Sequence, residues 1–310
     1  MDATPPQPDD TSGAALARAR TVGEALTLAE RWLRAVPDSE SATLDAQLLL
    51  AHVTGLARTT IMAYPERPLA SDDAERYAAL VTRRVAREPV AYLTGHREFM
   101  GLDFLTDARA LIPRPETELL VEAALAEARA RLAEPTSPAP VVADIGTGSG
   151  AIAVALARLE PRLATIYATD ISADALALAR QNAQRLGVAE RIRFLEGDLL
   201  LPLPEPVDIL LANLPYVAPR DAPTLADDVR RYEPSLALYG DDDGLGHLRG
   251  LLAQATGRLK PGAAILLEFG YDQRAAVVAL ARATFPAPAV RVVTAYAGWD
   301  RLAVIRTGTS

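Results

Sequence analysis

The sequence predicts a doubly wound α/β domain that ends in an antiparallel pair of strands and follows a small helical bundle and a β-hairpin linker. Three observations predict it. From Val141 onward, short apolar runs alternate with helical patterns, the signature of a parallel sheet with helices on both faces. The last two apolar runs, Val290–Tyr296 and Arg301–Arg306, follow each other with no helix between them, so they pair antiparallel. Residues from about 15 to 88 carry helical spacing and no strand pattern.

The elements follow in order. Residues 1–14 begin polar, Pro-rich and acidic, and read as a disordered tail. In the helical domain, 15–88, Thr21 and Glu24 form a T-x-x-E capping box before Leu28, Ala29, Trp32, Leu33 and Val36. Leu44, Leu48 and Val53 mark a second helix closed by Gly55, and Ser71 is placed to cap a later one that Pro89 ends. Residues 89–112 turn aromatic and Gly-punctuated. Val90-Ala91-Tyr92-Leu93 and Phe99 to Leu105 read there as strands of a hairpin linker. Pro113-Arg114-Pro115-Glu116-Thr117-Glu118 opens a helix running to about Leu132, with Pro115 at its first position and acids at its positive end. Pro135, Pro138 and Pro140 then punctuate a loop. The domain 113–310 supplies seven strands: Val141–Ile145, Thr165–Thr169, Ile192–Leu195, Ile209–Ala212, Ala264–Phe269 and the two named above.

Composition narrows the chemistry. There is no cysteine, which excludes disulfides, thiolate zinc sites and cysteine nucleophiles. The three histidines, His52, His96 and His247, are scattered without metal-ligand spacing. His52 and His247 read as helix-surface or core residues. Net charge is −8, so the chain lacks the overall basic footprint of tight nucleic-acid binding. The amino-terminal residues lack the basic and apolar regions of a signal peptide, and no window approaches a membrane span. A cytoplasmic protein is expected.

Two motifs carry chemistry. After the first strand of the sheet stands Asp144-Ile145-Gly146-Thr147-Gly148-Ser149-Gly150, whose glycines let backbone turn tightly and approach a ligand. Gly146, Gly148 and Ala151 also satisfy the dinucleotide fingerprint, so the loop alone fits a nicotinamide or flavin enzyme. Asp170, at the end of the second strand, can take both ribose hydroxyls of either cofactor. Three features favour S-adenosylmethionine. Asp144 is placed to attract the donor's ammonium or an intervening water. Asp198, with Leu199 after the third strand, can accept from the adenine amine. The fourth strand runs into Asn213-Leu214-Pro215-Tyr216, which has no purpose in hydride transfer. An amide side chain, a stiff backbone carbonyl and an aromatic ring at one spot can grip a planar –NH2 group. The antiparallel tail likewise marks the class I methyltransferase version of the fold. Such a grip suits an amide nitrogen, whose lone pair is delocalised into its carbonyl. Two acceptors fix the nitrogen and favour the positive charge that develops on it. No metal or covalent enzyme intermediate is required.

The chain resembles the peptide chain release factor N5-glutamine methyltransferases (HemK/PrmC). The resemblance rests on Thr21-Val22-Gly23-Glu24-Ala25-Leu26, Tyr92-Leu93-Thr94-Gly95, Arg97-Glu98-Phe99-Met100-Gly101-Leu102 and Leu111-Ile112-Pro113-Arg114-Pro115-Glu116-Thr117-Glu118. It continues through the glycine loop, Glu233-Pro234-Ser235-Leu236-Ala237-Leu238, Asp243-Gly244-Leu245 and Leu267-Glu268-Phe269-Gly270-Tyr271-Asp272-Gln273. It implies a class I S-adenosylmethionine-dependent fold that methylates the glutamine of the Gly-Gly-Gln motif of class 1 release factors, docked by the helical domain and hairpin. By motif, Gly146, Thr147, Gly148, Ser149, Gly150, Asp170 and the Asp198-Leu199 turn hold the donor, and Arg114 to Glu118 border it. Asn213 and the carbonyl of Leu214 accept the two amide hydrogens, and Tyr216 shapes the pocket. The family usually has Pro where this chain has Leu214; Pro215 holds that residue extended in either case. The rival readings are an N6-adenine nucleic-acid methyltransferase, which would grip a flipped base with the same tetrapeptide, and a ribosomal-protein glutamine methyltransferase, disfavoured by Arg114–Glu118. Neither direct nucleic-acid binding nor a membrane is expected.

Overall fold

A computed structural model of the protein describes residues 10–37, 41–134, 138–295 and 298–308. The chain divides into two compact units, residues 1–95 with 226–232, and residues 96–225 with 233–310.

The first unit is helical. Val22–Arg34, Ala42–Thr54 and Ser71–Val85 bury an apolar core that includes Ala25, Leu33, Leu49, Leu50, Ile61, Tyr77 and Val81. Tyr77 sits wholly inside, and its hydroxyl donates to the Ala46 carbonyl at 2.9 Å, as a buried phenol requires. Half of the predicted capping box forms: Glu24 N–H donates to Thr21 Oγ1 at 3.2 Å, while the Glu24 carboxylate accepts from Arg20 N–H rather than from Thr21. Arg84 pairs with buried Asp45 at 2.7 Å and lies 3.7 Å from Asp228, on the short helix Asp227–Tyr232 that returns to this unit. Three expectations are corrected. Residues 1–9 lie outside the described residues, but Asp10–Leu16 is a helix, and Leu16 enters the core. Ser71 opens its helix without capping it. Val90–Thr94 is one helical turn, not a strand. Pro89 precedes it, Gly95 ends it in the left-handed conformation (φ 74°), and Leu93 reaches the helical core.

The second unit begins with the hairpin, β1 His96–Phe99 and β2 Leu102–Leu105, turning on Met100 (φ 54°) and Gly101 (φ 72°), both in the left-handed region that two-residue hairpins demand. Phe99 and Phe104 are buried in the same core as the sheet, so the hairpin is built into this unit and is not a free linker. Asn182, itself fully buried, staples it: Oδ1 accepts from Leu105 N–H at 2.8 Å, and Nδ2 donates to the Leu105 and Ser149 carbonyls at 3.1 and 2.9 Å.

The seven-stranded sheet comprises β3 Val142–Ile145, β4 Ile166–Asp170, β5 Ile192–Glu196, β6 Val207–Ala212, β7 Leu259–Glu268, β8 Ala289–Thr294 and β9 Asp300–Arg306. Its order is β5-β4-β3-β6-β7-β9-β8, parallel through β7 and antiparallel at β9 and β8. Tyr296, placed by the sequence at the end of β8, lies outside the described residues. β3 is wholly buried and β6 and β7 nearly so near the sheet centre, as strands covered on both faces must be. Register then sets the site. Ile145 pairs with Thr169 and with Ala212, and Ala212 pairs with Leu267. The next residue of each strand therefore stands in one row at the carboxyl edge: Gly146, Asp170, Asn213 and Glu268. The order reverses between β3 and β6, where open α/β sheets bind their ligands.

Candidate active site

The loop after β3 is locked from below. Gly146 and Thr147 N–H both donate to the Thr169 carbonyl at 2.9 Å, and Gly148 N–H donates to Asp170 Oδ2 at 2.8 Å. Gly146, Gly148 and Gly150 all have positive φ (71°, 56° and 80°), where a side chain would be strained. At Gly150 a Cβ would also meet Ala179 at 3.0 Å, so this glycine lets the loop press onto the helix Ala173–Arg185. Asp144 is fully buried beneath the loop: Oδ2 accepts from Thr147 Oγ1 at 2.6 Å and from Ala153 N–H at 3.2 Å, while Oδ1 has no partner. Burial pushes its carboxyl up to about 7, against the hydrogen bonds that favour the charge.

Inside the protein Asp170 accepts Gly148 N–H on Oδ2 and Ser172 N–H on Oδ1 at 2.9 Å; burial raises its pKa against these bonds and the Ile171 backbone N–H. Each oxygen keeps lone pairs for a further donor. Gln254 Nε2 donates to Asp198 Oδ2 at 3.0 Å, and its Oε1 accepts from Leu200 N–H at 2.9 Å, which fixes the turn. Leu199 sits at φ 47°, and its carbonyl accepts from Thr169 Oγ1 at 2.9 Å.

Asn213 follows β6. Its Nδ2 donates to Thr117 Oγ1 at 3.0 Å, and Thr117 is buried at the end of the turn Pro115–Thr117. Glu268 is also buried; burial lifts its carboxyl to about 7, against Thr117, Arg301 and Asn213, which favour its charge. Arg114 Nη2 pairs with Glu233 Oε1 at 2.5 Å, while Glu233 Oε2 accepts from Ile112 N–H at 3.1 Å; this ties the segment before Pro115 to the Glu233–Leu238 motif of the resemblance. Glu118 turns away to accept from Met100 N–H at 2.8 Å at the hairpin tip. Leu214 is buried, and its side chain covers Gly146, where a Cβ would meet Leu214 Cδ2 at 2.8 Å.

One open cleft gathers most of the predicted residues. Gly146, Thr147, Gly148, Ser149, Asp170, Asp198, Leu199, Asn213, Leu214 and Pro215 line it, with Arg114 and Thr117. Three predicted residues do not. Asp144 supports the loop from beneath, with its Oδ1 unpartnered. Gly150 faces Ala179. Tyr216 lies behind the turn, its carbonyl accepting from Gln273 Nε2 at 3.1 Å and its hydroxyl pushed up to about 12 by burial. His247, read from sequence as an ordinary helix residue, lines the cleft, as do the exposed apolar side chains Ile171 and Leu236. Sequence reading also missed the supporting Thr117–Glu268 pair, Gln254 and Asn182. The first two lie inside segments that the resemblance quotes, which was the available signal. Among the described residues no group of three or more His, Asp or Glu could hold a metal ion.

Comparison with known proteins shows the family and the fold. Residues 24–95 match a family described as the PrmC N-terminal domain, and residues 142–232 match a methyltransferase domain. Relatives named release factor glutamine methyltransferase include that of Moorella thermoacetica, 45% identical over 91% of this chain and 96% of its own length. That of Bordetella pertussis is 45% identical over 77% of this chain and 86% of its own, and that of Cereibacter sphaeroides 40% over 86% and 92%. Among solved structures, the hMettl16 catalytic domain in complex with an MAT2A 3′UTR hairpin shares the fold at a TM-score of 0.51 and 15% identity, covering 74% of this chain and 82% of that one.

Proposed function

The chain belongs to the release factor glutamine methyltransferase family, and we propose that it methylates the side-chain amide nitrogen of the Gly-Gly-Gln glutamine in class 1 peptide chain release factors. The observation that carries this reading is the row of Gly146, Asp170 and Asn213 along one cleft edge, a donor loop and an amide grip side by side. The enzyme uses S-adenosylmethionine, which when bound supplies an electrophilic methyl group on a sulfonium sulfur. The cleft fits it: glycine backbone for close approach, the Asp170 carboxylate with lone pairs free for a diol, and Ile171 exposed at 59% beside it for an apolar ring face.

In this reading the residues act as follows. Asp170 takes the ribose hydroxyls, Asp198 accepts from the adenine amine, and the Gly146–Ser149 backbone lies along the donor. Asn213 Oδ1 and the Leu214 carbonyl accept the two N–H bonds of the glutamine amide, which holds the nitrogen in line with the methyl carbon and the sulfur. Such alignment can lower the barrier by several kcal/mol. The nitrogen forms its bond to carbon as the carbon–sulfur bond breaks, and the spare N–H proton leaves to solvent. Acceptors already in place favour the positive charge on nitrogen during transfer. Leu214 serves this role through its main chain.

The helical unit carries no chemistry of its own, which supports a docking role for it toward the release factor. A cytoplasmic location follows from such a substrate, and among the described residues no helix is long and apolar enough to cross a membrane. Incubation with labelled donor followed by mass spectrometry tests the reading. The release factor should gain one methyl on the Gly-Gly-Gln glutamine, while a factor with that glutamine replaced and an adenine-bearing oligonucleotide stay unlabelled. Labelling of the oligonucleotide, or equal labelling of the replaced factor, refutes it. Docking is tested by removing residues 1–95: a soluble, folded remainder should keep donor binding and lose methylation of intact factor. Wild-type efficiency in that variant rejects the docking role.

A further inference from the structure

The side-chain amide of Asn213 has an acceptor end and a donor end, and only Oδ1 can receive an N–H from a substrate amide. A swap of the two ends costs little sterically, so something behind the residue has to select the orientation. Its immediate neighbours there are Thr117 and Glu268. Asn213 Nδ2 donates to Thr117 Oγ1 at 3.0 Å, and the hydroxyl that accepts this bond has its own proton to give. Glu268 stands next to Asn213 in the row because Ala212 pairs with Leu267, and both Thr117 and Asn213 favour the charged form of its carboxyl. A carboxylate can only accept, so it draws Nδ2 inward and turns Oδ1 outward.

We propose that Glu268 and Thr117 are positioning residues that hold the Asn213 amide with its acceptor facing the substrate. Resting on the glutamine-methylation reading, the inference adds two residues that act through Asn213: Glu268, and Thr117, which also lines the cleft. A second observation supports it independently. Glu268 is only 3% exposed, and its Oε2 is buried without a partner. A buried charge with an unmatched oxygen is costly, and the end of a sheet strand gives no structural reason to keep one there. The groups around Glu268 are Thr117, Asn213, Arg301, Glu116 and Tyr216; Arg301 favours its charged form, while burial and Glu116 oppose it. A protonated Glu268 becomes a donor, can bind Asn213 Oδ1, and releases the selection. Activity should therefore fall on the acid side as this carboxyl, lifted to about 7, takes up its proton.

The test is E268Q in the full-length enzyme with intact release factor. Glutamine keeps the shape but offers a donor, so kcat should drop roughly 10–100-fold, the scale of lost supporting contacts around a reacting group. Donor affinity should stay within about threefold, the range expected when no group touching the donor is altered. The acid limb of the kcat–pH profile should disappear. T117S keeps the hydroxyl and should retain activity, whereas T117V should lose it; that pair makes the same contrast if E268Q does not fold. Wild-type kcat with an unchanged acid limb in E268Q, or equal activity in T117V and T117S, overturns the inference while leaving the methylation reading intact. If the wild-type enzyme labels no release factor, both fall together.

Discussion

Removing the Asp170 carboxylate separates its observed role in holding the glycine loop from its proposed role toward the donor. Inside the protein, Asp170 accepts Gly148 N–H at 2.8 Å and Ser172 N–H at 2.9 Å; toward the cleft it has lone pairs for the donor's ribose diol. Asp170→Ala leaves the Gly148 amide without its acceptor, at about 1–3 kcal/mol for a group that water reaches poorly. In a unit of this size that lowers Tm by about 2–4 °C per kcal/mol. The lost contact to the diol is a hydrogen bond to a charged group, worth about 1.5–3 kcal/mol, or roughly 10–150-fold in donor Kd. Asp170→Asn is not a rescue, because the two backbone N–H groups claim both oxygens and the new NH2 must face one of them. Calorimetric titration with S-adenosylhomocysteine, run beside a thermal melt, reads the two effects separately. A folded Asp170→Ala protein with wild-type affinity places the donor elsewhere. Tight NADH binding by the wild-type enzyme refutes the reading of the glycine loop altogether.

Two further predictions address the amide grip and the buried acid. Asn213→Ala should reduce turnover about 10²–10³-fold with donor affinity nearly intact, since an oriented transition-state contact is lost; a normal methylation rate by quantitative mass spectrometry rejects the grip. Asp144 has a folded pKa of about 7, raised above its unfolded value by burial, so its favourable contribution is complete below about pH 4 and lost as pH rises through about 7. Asp144→Asn keeps an acceptor for Thr147 and should remove that loss. Its stability relative to wild type, measured by denaturant midpoints from about pH 5 to pH 8, should grow by an amount on the order of a few kcal/mol, and parallel curves would falsify the assignment.

What could be read in the sequence was what local pattern determines. The strands around the site are short apolar runs ended by glycine, Asp170 or Asn213, so their positions and the residues at their carboxyl ends were legible to within a few residues. Val90–Thr94 was misread because five residues between Pro89 and Gly95 fit one helical turn as well as a strand, and only burial of Leu93 in the helical core decides. Asp144 was given a role toward the donor because it stands two residues before Gly146. Only the fold shows that the loop rises over it and that Thr147 and Ala153 use its Oδ2 while Oδ1 has no partner. Gln254 and Asn182 lie in unremarkable helical sequence, and their partners come from across the fold.

The Thr117–Glu268 support was hidden for a related reason. Thr117 stands 96 residues before Asn213, and Glu268 joins it only because the β6–β7 register sets Leu267 beside Ala212. A tetrapeptide can supply an amide, a carbonyl and a rigid turn, but it cannot say which end of the amide points outward. That choice belongs to residues brought up by two other segments, one from the turn ahead of the first long helix of the unit and one from the neighbouring strand. Leu214 makes the same point in reverse. It departs from the family's usual Pro, yet its carbonyl is main chain and its side chain is used to cover Gly146. The grip therefore depends less on which apolar residue stands between Asn213 and Pro215 than on the acceptors behind Asn213.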